Sequence, residues 1–573
     1  MRFAWVFASL LIACASAPPR PFPLRAPLLV DPDMNPVSVA CRPEPSKKEP
    51  NRVRCAPTEY VSPFVWDYVD NLVFRPVSNM LSISVTGESA NATSLDEVAD
   101  SSWFVNRIGI TPLTNDLRTL GACKPEDILP VDVADGAWVV DQGKTDGATP
   151  GFRVEVPGLG RYMLKADDLG KPERASAASV IGAALYQASG FSTTCEQIVL
   201  VRRGQFALEP GLTTTSNRGT VSPFDKDALA TVLDRSTQVG PLVRMQASKW
   251  LPGLALGPFR YIGVRADDPN DVVAHENRRE LRGSRLLAAW MNHWDAREQN
   301  SMDIWFASDK KEKRSSPGHV RHYVIDTSDS IGGAIPSPET TTRLGHGYLV
   351  SMGDITLDFI TFGAIERPWD RVRTEPGREK FGYFSARDFD PEKWKGLYPN
   401  PAMIRMTERD GAWMARIIAR FTPADVRAIV EAGRFSDPGD TDYLVKVLIE
   451  RQRLILARYL MKLSPLAHVH AVGKQLCATD LARSSGLLPA NRFRYTVSQQ
   501  AGGARFALDP TPGPDGLVCF LPRPTTAGSD LPDAAAARMT TFDVRNGTSA
   551  GPLVIHTYDL GSRGMFVVGL SRR

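Results

Sequence analysis

Residues 281–300 read LRGSRLLAAWMNHWDAREQN, and they run through SMDIWF (301–306) and a short charged spacer into HYVIDTSDSIG (322–332). Asp295 and Asn300 stand five residues apart, just after an amphipathic run. A short apolar strand follows, then a charged turn, then a second strand that ends at Asp326. Two carboxylates and an amide on adjacent strand ends are the groups a magnesium–nucleotide site uses. One carboxylate orients a hydroxyl, while the amide and the other carboxylate offer hard oxygen ligands to the metal.

Upstream, AWVVDQGKTDGATPGFRVEVPGLGRYMLK (137–165) reads as three short antiparallel strands. Trp138–Val140 opens the first, Phe152–Val156 alternates as the second, and Tyr162–Lys165 is the third. The loop between the first two carries Gly147 and Gly151, whose backbone can approach phosphates without a side-chain clash. It is neither GxGxxG nor a Walker loop. Lys165 closes the third strand, where an ammonium can reach those phosphates. KPERASAASVIGAALYQASGF (171–191) predicts a helix, with Pro172 in the first turn and Gly190 past the end. Its apolar stripe is Val180, Ile181, Ala184, Leu185 and Ala188. Glu173 in its first turn reads either as a carboxylate favoured by the helix dipole or as the ion-pair partner of Lys165. RMQASKWLPGLALGPF (244–259) reads as a strand and a hinge to a second lobe.

The helix before Asp295 is predicted from about His275 to Asn292, with Leu281, Leu286, Leu287 and Trp290 inward. Arg278, Arg279, Arg282 and Arg285 are expected on its solvated face, paired with Glu276 and Glu280. Asp267, Asp268 and Asp271 lack a full calcium loop and suit helix capping better. Trp103 and Phe104 are expected to dock residues 66–134 onto the body. After Asp326 the chain is largely helical. Thr422 as N-cap, Pro423 as first residue and Gly433 as stop define one of these helices. From about residue 466 the pattern changes to short alternating strands separated by Gly, Pro and Asn turns, which predicts a small all-β domain.

The N-terminus reads MRFAWVFASLLIAC, an export signal. Leu11-Ile12-Ala13-Cys14 resembles a bacterial lipobox that lipidates Cys14; cleavage after Ala15-Ser16-Ala17 is the other reading. The Pro-rich stretch behind it suits a tether. Of seven cysteines, six remain besides Cys14, an even number that suits disulfides in an oxidising compartment. Cys41–Cys55 and Cys477–Cys519 are the first pairings expected. The net charge of +4 over 573 residues gives no basis for nucleic-acid binding or for attraction to an anionic membrane. No HExxH motif occurs.

The order of these pieces resembles the protein-kinase-like superfamily, in its atypical branches: HipA-type, CotH-type, secretory-pathway and lipid kinases. Asp295-Ala296-Arg297-Glu298-Gln299-Asn300 is similar to the D-x-[HR]-x-x-N catalytic loop, while Asp326-Thr327-Ser328 departs from the DFG turn after its Asp. The segments DSSWFVNR, TPGF, RRELRG and RPWD also resemble parts of bacterial exported proteins, without implying chemistry. The resemblance spans about residues 135–465. It implies an α+β fold with a β-rich N-lobe (135–255) and a helical C-lobe (256–465). Around these lie a signal segment (1–17), a tether (18–65), an N-terminal extension (66–134) and the β domain (466–573). It further implies that ATP is the nucleotide, with Mg²⁺ or Mn²⁺ held by Asn300 and Asp326, and Asp329 as a further metal candidate. Lys165 would contact phosphates with Glu173 as its partner. Asp295 would orient an acceptor hydroxyl on a protein, sugar or lipid, and Arg297 would stabilise the transferred phosphoryl. Transfer of AMP instead of phosphoryl is equally open. The membrane would be met through the lipid anchor only, in the bacterial cell envelope. The alternative is a non-catalytic, pseudokinase-type binding protein or a structural lipoprotein.

Overall fold

Alternation with a period of two dictates the sheet that carries Lys165. In a computed structural model, strands β1 (Trp138–Lys144), β2 (Gly151–Val156) and β3 (Gly160–Lys165) pair antiparallel in that order. The model describes residues 28–45, 50–81, 86–130, 132–144, 149–167, 170–215, 221–309, 316–332, 338–524 and 538–572. Helix makes up 30% and strand 26%, in several sheets, so the chain is mixed α+β. The signal segment with Cys14, and Gly147 of the glycine loop, lie outside the described residues. No helix among the described residues is long and apolar enough to cross a membrane.

On one face of the sheet, Trp138, Val140, Phe152, Val154, Tyr162 and Leu164 are buried against helix α2 (Lys226–Arg235) and Phe224. The opposite face faces helix α1 (Arg174–Ser189), which lies between the sheet and the rest of the body. Strands β4 (Glu196–Val201) and β5 (Leu242–Lys249) extend this sheet beyond β3. The short strand Phe206–Leu208 runs parallel to β1 at the other edge. Helix α1 is buried on nearly every side, so the stripe expected from its sequence is only part of its contact surface. Its run of Ala, Ser and Gly lets neighbouring backbones approach it all round.

The chain then crosses to a helical region. Helix α3 (Arg279–Met291) packs on α4 (Glu408–Ile418) and α6 (Pro438–Ile455), with α5 (Pro423–Glu431) beside them. Thr422 caps α5 in a reciprocal capping box with Asp425, as its sequence predicts, although Ala432 rather than Gly433 ends the helix. Buried Arg451 ties α6 to the end of α3 by donating to the carbonyls of Trp290 and Ala289 at 2.8 and 2.6 Å. In chain order, an antiparallel pair, β6 (Ser301–Ala307) and β7 (Gly318–Val324), comes between α3 and these helices. Residues 466–572 contribute two further antiparallel sheets around a core of Leu466, Val497, Phe520, Phe542 and Ile555. Disulfides join Cys41–Cys55, Cys123–Cys195 and Cys477–Cys519.

Of the four arginines expected on a solvated face, Arg278, Arg279 and Arg282 are instead buried and Arg285 is half-buried. Arg278 meets Asp271, Arg279 meets Asp96 and Arg282 meets Asp410. Arg285 donates to the carbonyls of Glu392 and Trp394. Arg279 finds its acid in the N-terminal extension, which lies over the start of α3, Arg282 finds it downstream in α4, and Arg278 finds it just upstream. Trp103 stacks on His322 with ring centroids 3.4 Å apart, and Phe104 packs on Phe191 and Trp413. Asp96 gathers three arginines: Arg279 at 2.7 Å, Arg416 at 3.4 Å, and Arg572 near the C-terminus. The extension, the helical region and the last strand therefore meet at one carboxylate.

Burial alone would raise the Asp96 carboxyl, yet Arg572, Arg416 and Arg279 together hold it well below the usual range. Its stabilisation is therefore complete above the ordinary carboxylate pKa and is lost as pH falls below it. Asp96→Ala strips buried Arg572 of its carboxylate and leaves Arg279 to Asp410 and Arg416 to Glu97, and it is expected to cost about 3–5 kcal/mol. Thermal melts at pH 7 read this as a large fall in Tm. The gap to the unsubstituted protein narrows in melts below pH 4, where the unfolded Asp takes up a proton.

Candidate functional site

Lys165 ends β3 on the face of the sheet turned away from α2, and its Nζ lies 2.9 Å from Oδ2 of Asp326. Both line a cavity of about 180 Å³, together with Met163, Glu196, Trp250 and Ile304. Lys249, Trp250 and Leu251 form one wall where the chain leaves the sheet. The residues read as a hinge thus border the same space as Lys165.

Asp326 follows β7 with φ of +52°, a left-handed conformation that is costly for a non-glycine residue and needs support. The support comes from both sides. Ser328 Oγ donates to Asp326 Oδ1 at 2.7 Å. Arg174 of α1, fully buried, donates to the carbonyls of Ser328 and Ser330 at 3.1 and 3.3 Å. Thr327 Oγ1 donates to the Ser179 carbonyl at 2.9 Å. A Cβ on Gly182 would come within 2.7 Å of Thr327, so α1 must carry glycine where the loop crosses it.

The loop after α3 joins the same point. The Ile325 amide donates to the Asn300 carbonyl at 3.0 Å. The Asn300 amide group donates to the main-chain carbonyl and Oδ2 of Asp295 at 2.8 and 2.9 Å. Arg297 Nε lies 2.6 Å from Asp295 Oδ1, which makes Arg297 a holder of Asp295 in this state. Asp295 is 6% exposed. His293 is buried beneath the loop, with its Nδ1 3.1 Å from the Tyr186 hydroxyl, and burial keeps it neutral with a pKa lowered to about 4. Lys165, Asp295, Asn300 and Asp326 are therefore brought together, with Arg297 beside them.

Glu173 is not brought into this group. It precedes the first turn of α1 with φ of +67°, and its carboxylate takes Lys380 Nζ at 3.2 Å and the Ser436 amide at 3.1 Å. The expected Glu173–Lys165 pair is thus replaced by Asp326–Lys165. The left-handed turn swings Glu173 towards Lys380, away from the sheet. Gly151 is required by the sheet itself, since a Cβ there would meet the Leu164 carbonyl oxygen at 2.1 Å.

Three groups escape a reading of motifs. Glu196 lies in the cavity wall and accepts from Thr194, Ser248 and Gln246. Burial raises its carboxyl, and these three donors oppose the rise. Lys144, at the end of β1, has its pKa lowered to about 8 by burial and then by Lys165, against Asp326 and Asp329. Asp329, only a second-rank candidate in the sequence, is raised to about 7 by burial and by Asp295 and Asp326. Straight alternation from Trp138 and Val140 would put Lys144 on the α2 face, and the irregularity after Val140 turns it to the other; only the spacing of the 326–329 turn pointed towards Asp329.

Among the described residues, no group of three or more His, Cys, Asp and Glu is placed to hold a metal ion by itself. Asp326 and Asp329 are close enough to act on each other's charge, and Asn300 is tied to the strand end before Asp326 by its backbone carbonyl. Crowded carboxylates that hold a proton near neutral pH are relieved by a divalent cation, and Mg²⁺ takes one or two protein carboxylates with phosphate oxygens and water as its other ligands. The donor set fits such an ion only when an anionic ligand shares it.

Because Asp329 is raised from 3.8 to about 7, the folded protein binds a proton that the unfolded chain has released. Stability therefore falls as pH rises through this window and stays lower above it. Asp329→Asn is expected to raise Tm at pH 8 and to leave it nearly unchanged at pH 4. A higher Tm for the variant at pH 4 than at pH 8, relative to the parent, would contradict the assignment.

No protein-family model, no curated protein and no solved structure matches this chain.

Proposed function

We propose that this chain is an atypical, protein-kinase-like phosphotransferase that uses Mg-ATP and a hydroxyl acceptor. In this reading its sheet and its helical region are the two lobes of a kinase-like fold, with the strands after residue 466 as an appended β domain. Cys14 anchors it by lipid at the bacterial envelope. The observation that carries the reading is convergence: Lys165 and Asp326 meet at 2.9 Å in one cavity, and Asn300 is joined to that point through the Ile325 amide at 3.0 Å.

The residues then divide the work. Lys165 neutralises phosphate oxygens. Asp326, with Asn300 and Asp329, holds the metal, which supplies charge neutralisation to the phosphates when bound. Asp295 orients the acceptor hydroxyl and takes its proton. A bond forms between the acceptor oxygen and the terminal phosphorus, and the bond from that phosphorus to the bridging oxygen breaks, so ADP leaves. Burial raises the Asp295 carboxyl, which Arg297 and Asn300 counter, so its basicity is set by these two neighbours. Catalysis in this scheme is positioning and charge compensation.

One observation favours a second reading, a pseudokinase-type nucleotide binder. Glu173 is engaged by Lys380, and Asp295 is enclosed by Arg297 and Asn300. The two readings separate by experiment. A thermal-shift titration with millimolar Mg-ATP is expected to raise Tm, and no shift in the folded protein would overturn both. Asp295→Ala is expected to keep that shift while reducing transfer by at least about a hundredfold. Retained binding with no transfer in the unsubstituted protein, across protein, sugar and lipid acceptors and with AMP transfer also assayed, would leave the binding role.

A further inference from the structure

The register of the sheet places a second cation beside Lys165. Lys144 of β1 is directly opposite Gly151 of β2, and Gly151 is directly opposite Lys165 of β3. Directly registered residues point to the same face, so the two lysines flank a glycine in one row across three strands. The adjacent row, Gly143, Phe152 and Leu164, points the other way, where a Cβ on Gly143 would meet Phe224 at 2.3 Å. Lys144 therefore lies on the face that carries Lys165 and the cavity. Two strand spacings separate the lysine backbones by roughly 9–10 Å. Between them Gly151 presents no side chain, so the floor of the row is bare backbone.

The charges in this corner do not cancel pairwise. Lys165 is matched by Asp326 at 2.9 Å. Lys144 makes no ion pair among the described residues, and the charged groups that face it are Lys165, Asp326 and Asp329. A half-buried ammonium next to another ammonium is unfavourable until an anion joins them.

Resting on the nucleotide-binding reading above, we propose that Lys144 and Lys165 together form a cradle for linked phosphates, Lys144 being the second phosphate-binding residue of the site. A single phosphate would engage one lysine. A chain of two or three phosphates laid over Gly151 engages both, so the site selects di- and triphosphates over monophosphates. Lys144 acts on binding of the phosphate tail and leaves the base and ribose to the walls around Trp250 and Ile304.

The test is calorimetric titration of the full chain with Mg-ATP, adenosine and inorganic tripolyphosphate, repeated on Lys144→Ala and Lys144→Met. Circular dichroism melts verify that both variants are folded, and Lys144→Arg serves as the conservative control. The expected result is a loss of roughly ten- to a hundredfold in Mg-ATP affinity for both neutral variants, with adenosine affinity unchanged and binding largely restored in the Arg variant. Unchanged Mg-ATP affinity in both neutral variants overturns the role of Lys144 while the nucleotide reading stands. An equal loss for adenosine also overturns it. Should the unsubstituted protein bind tripolyphosphate but neither nucleotide nor nucleoside, the cradle stands and the nucleotide reading falls. Binding of none of the three probes overturns both.

Discussion

The ion pair between Lys165 and Asp326 is the constraint on which the site depends. Burial acts against both charges. It would lower the lysine and raise the carboxyl, yet each is shifted the other way by its partner. Such a pair persists away from water only if both ends are held by structure that cannot relax. Lys165 is held because β3 is inside a sheet, paired on both sides by β2 and β5. Asp326 is held because the turn that bears it is bonded to α1 by Arg174 and Thr327. The pair therefore ties the end of β3 to the turn after β7 at the cavity.

This explains the composition of α1. A surface helix needs one apolar stripe, but α1 meets the sheet on one side and the turn after Asp326 on another. Large side chains would push the turn away, and Gly182 allows the closest contact. Arg174 is the exception, a long side chain at the start of the helix, and it donates to carbonyls of the turn. The run RASAASVIGAALYQAS thus encodes a spacer between two supports of one ion pair.

Local pattern carried much of this into view. The strands around Lys165, the Thr422 cap and the spacing from Asp295 to Asn300 are short-range features, and residues near in sequence settle them. Partners across the fold were not legible. Glu173 was read beside Lys165 from its place in the helix, but a left-handed residue at the helix start redirected it to Lys380. The arginines of α3 looked solvated because their acids, Asp96 and Asp410, lie far from them in the chain. Lys144 needed the register of three strands, which alternation alone does not fix, because β1 has an irregularity between Val140 and Gln142. A shift of one residue there would turn Lys144 to the other face.

The loop bearing Asp295 is held on its outer side as well. In the helix Phe64–Val69, Asp67 accepts from the Tyr398 hydroxyl at 2.6 Å and from Gln299 Nε2 at 3.0 Å. Leu72, one turn on, shares an apolar cluster with Trp294, the residue before Asp295. The N-terminal extension therefore backs the loop of Asp295, which is clamped between it and the turn at Asp326. Clamping has two consequences that pull in opposite directions. It fixes the Asp295, Asn300 and Asp326 dipoles before any ligand arrives, which is what electrostatic preorganisation requires. It also leaves Asp295 6% exposed, so in the proposed transfer an acceptor hydroxyl would reach it only once its surroundings move. Lys165 and Asp326 already line the cavity, so the proposed phosphate site needs no such movement. The open cavity at Lys165 and the enclosed Asp295 are thus separate parts of the proposed site, linked through Asn300 and Ile325.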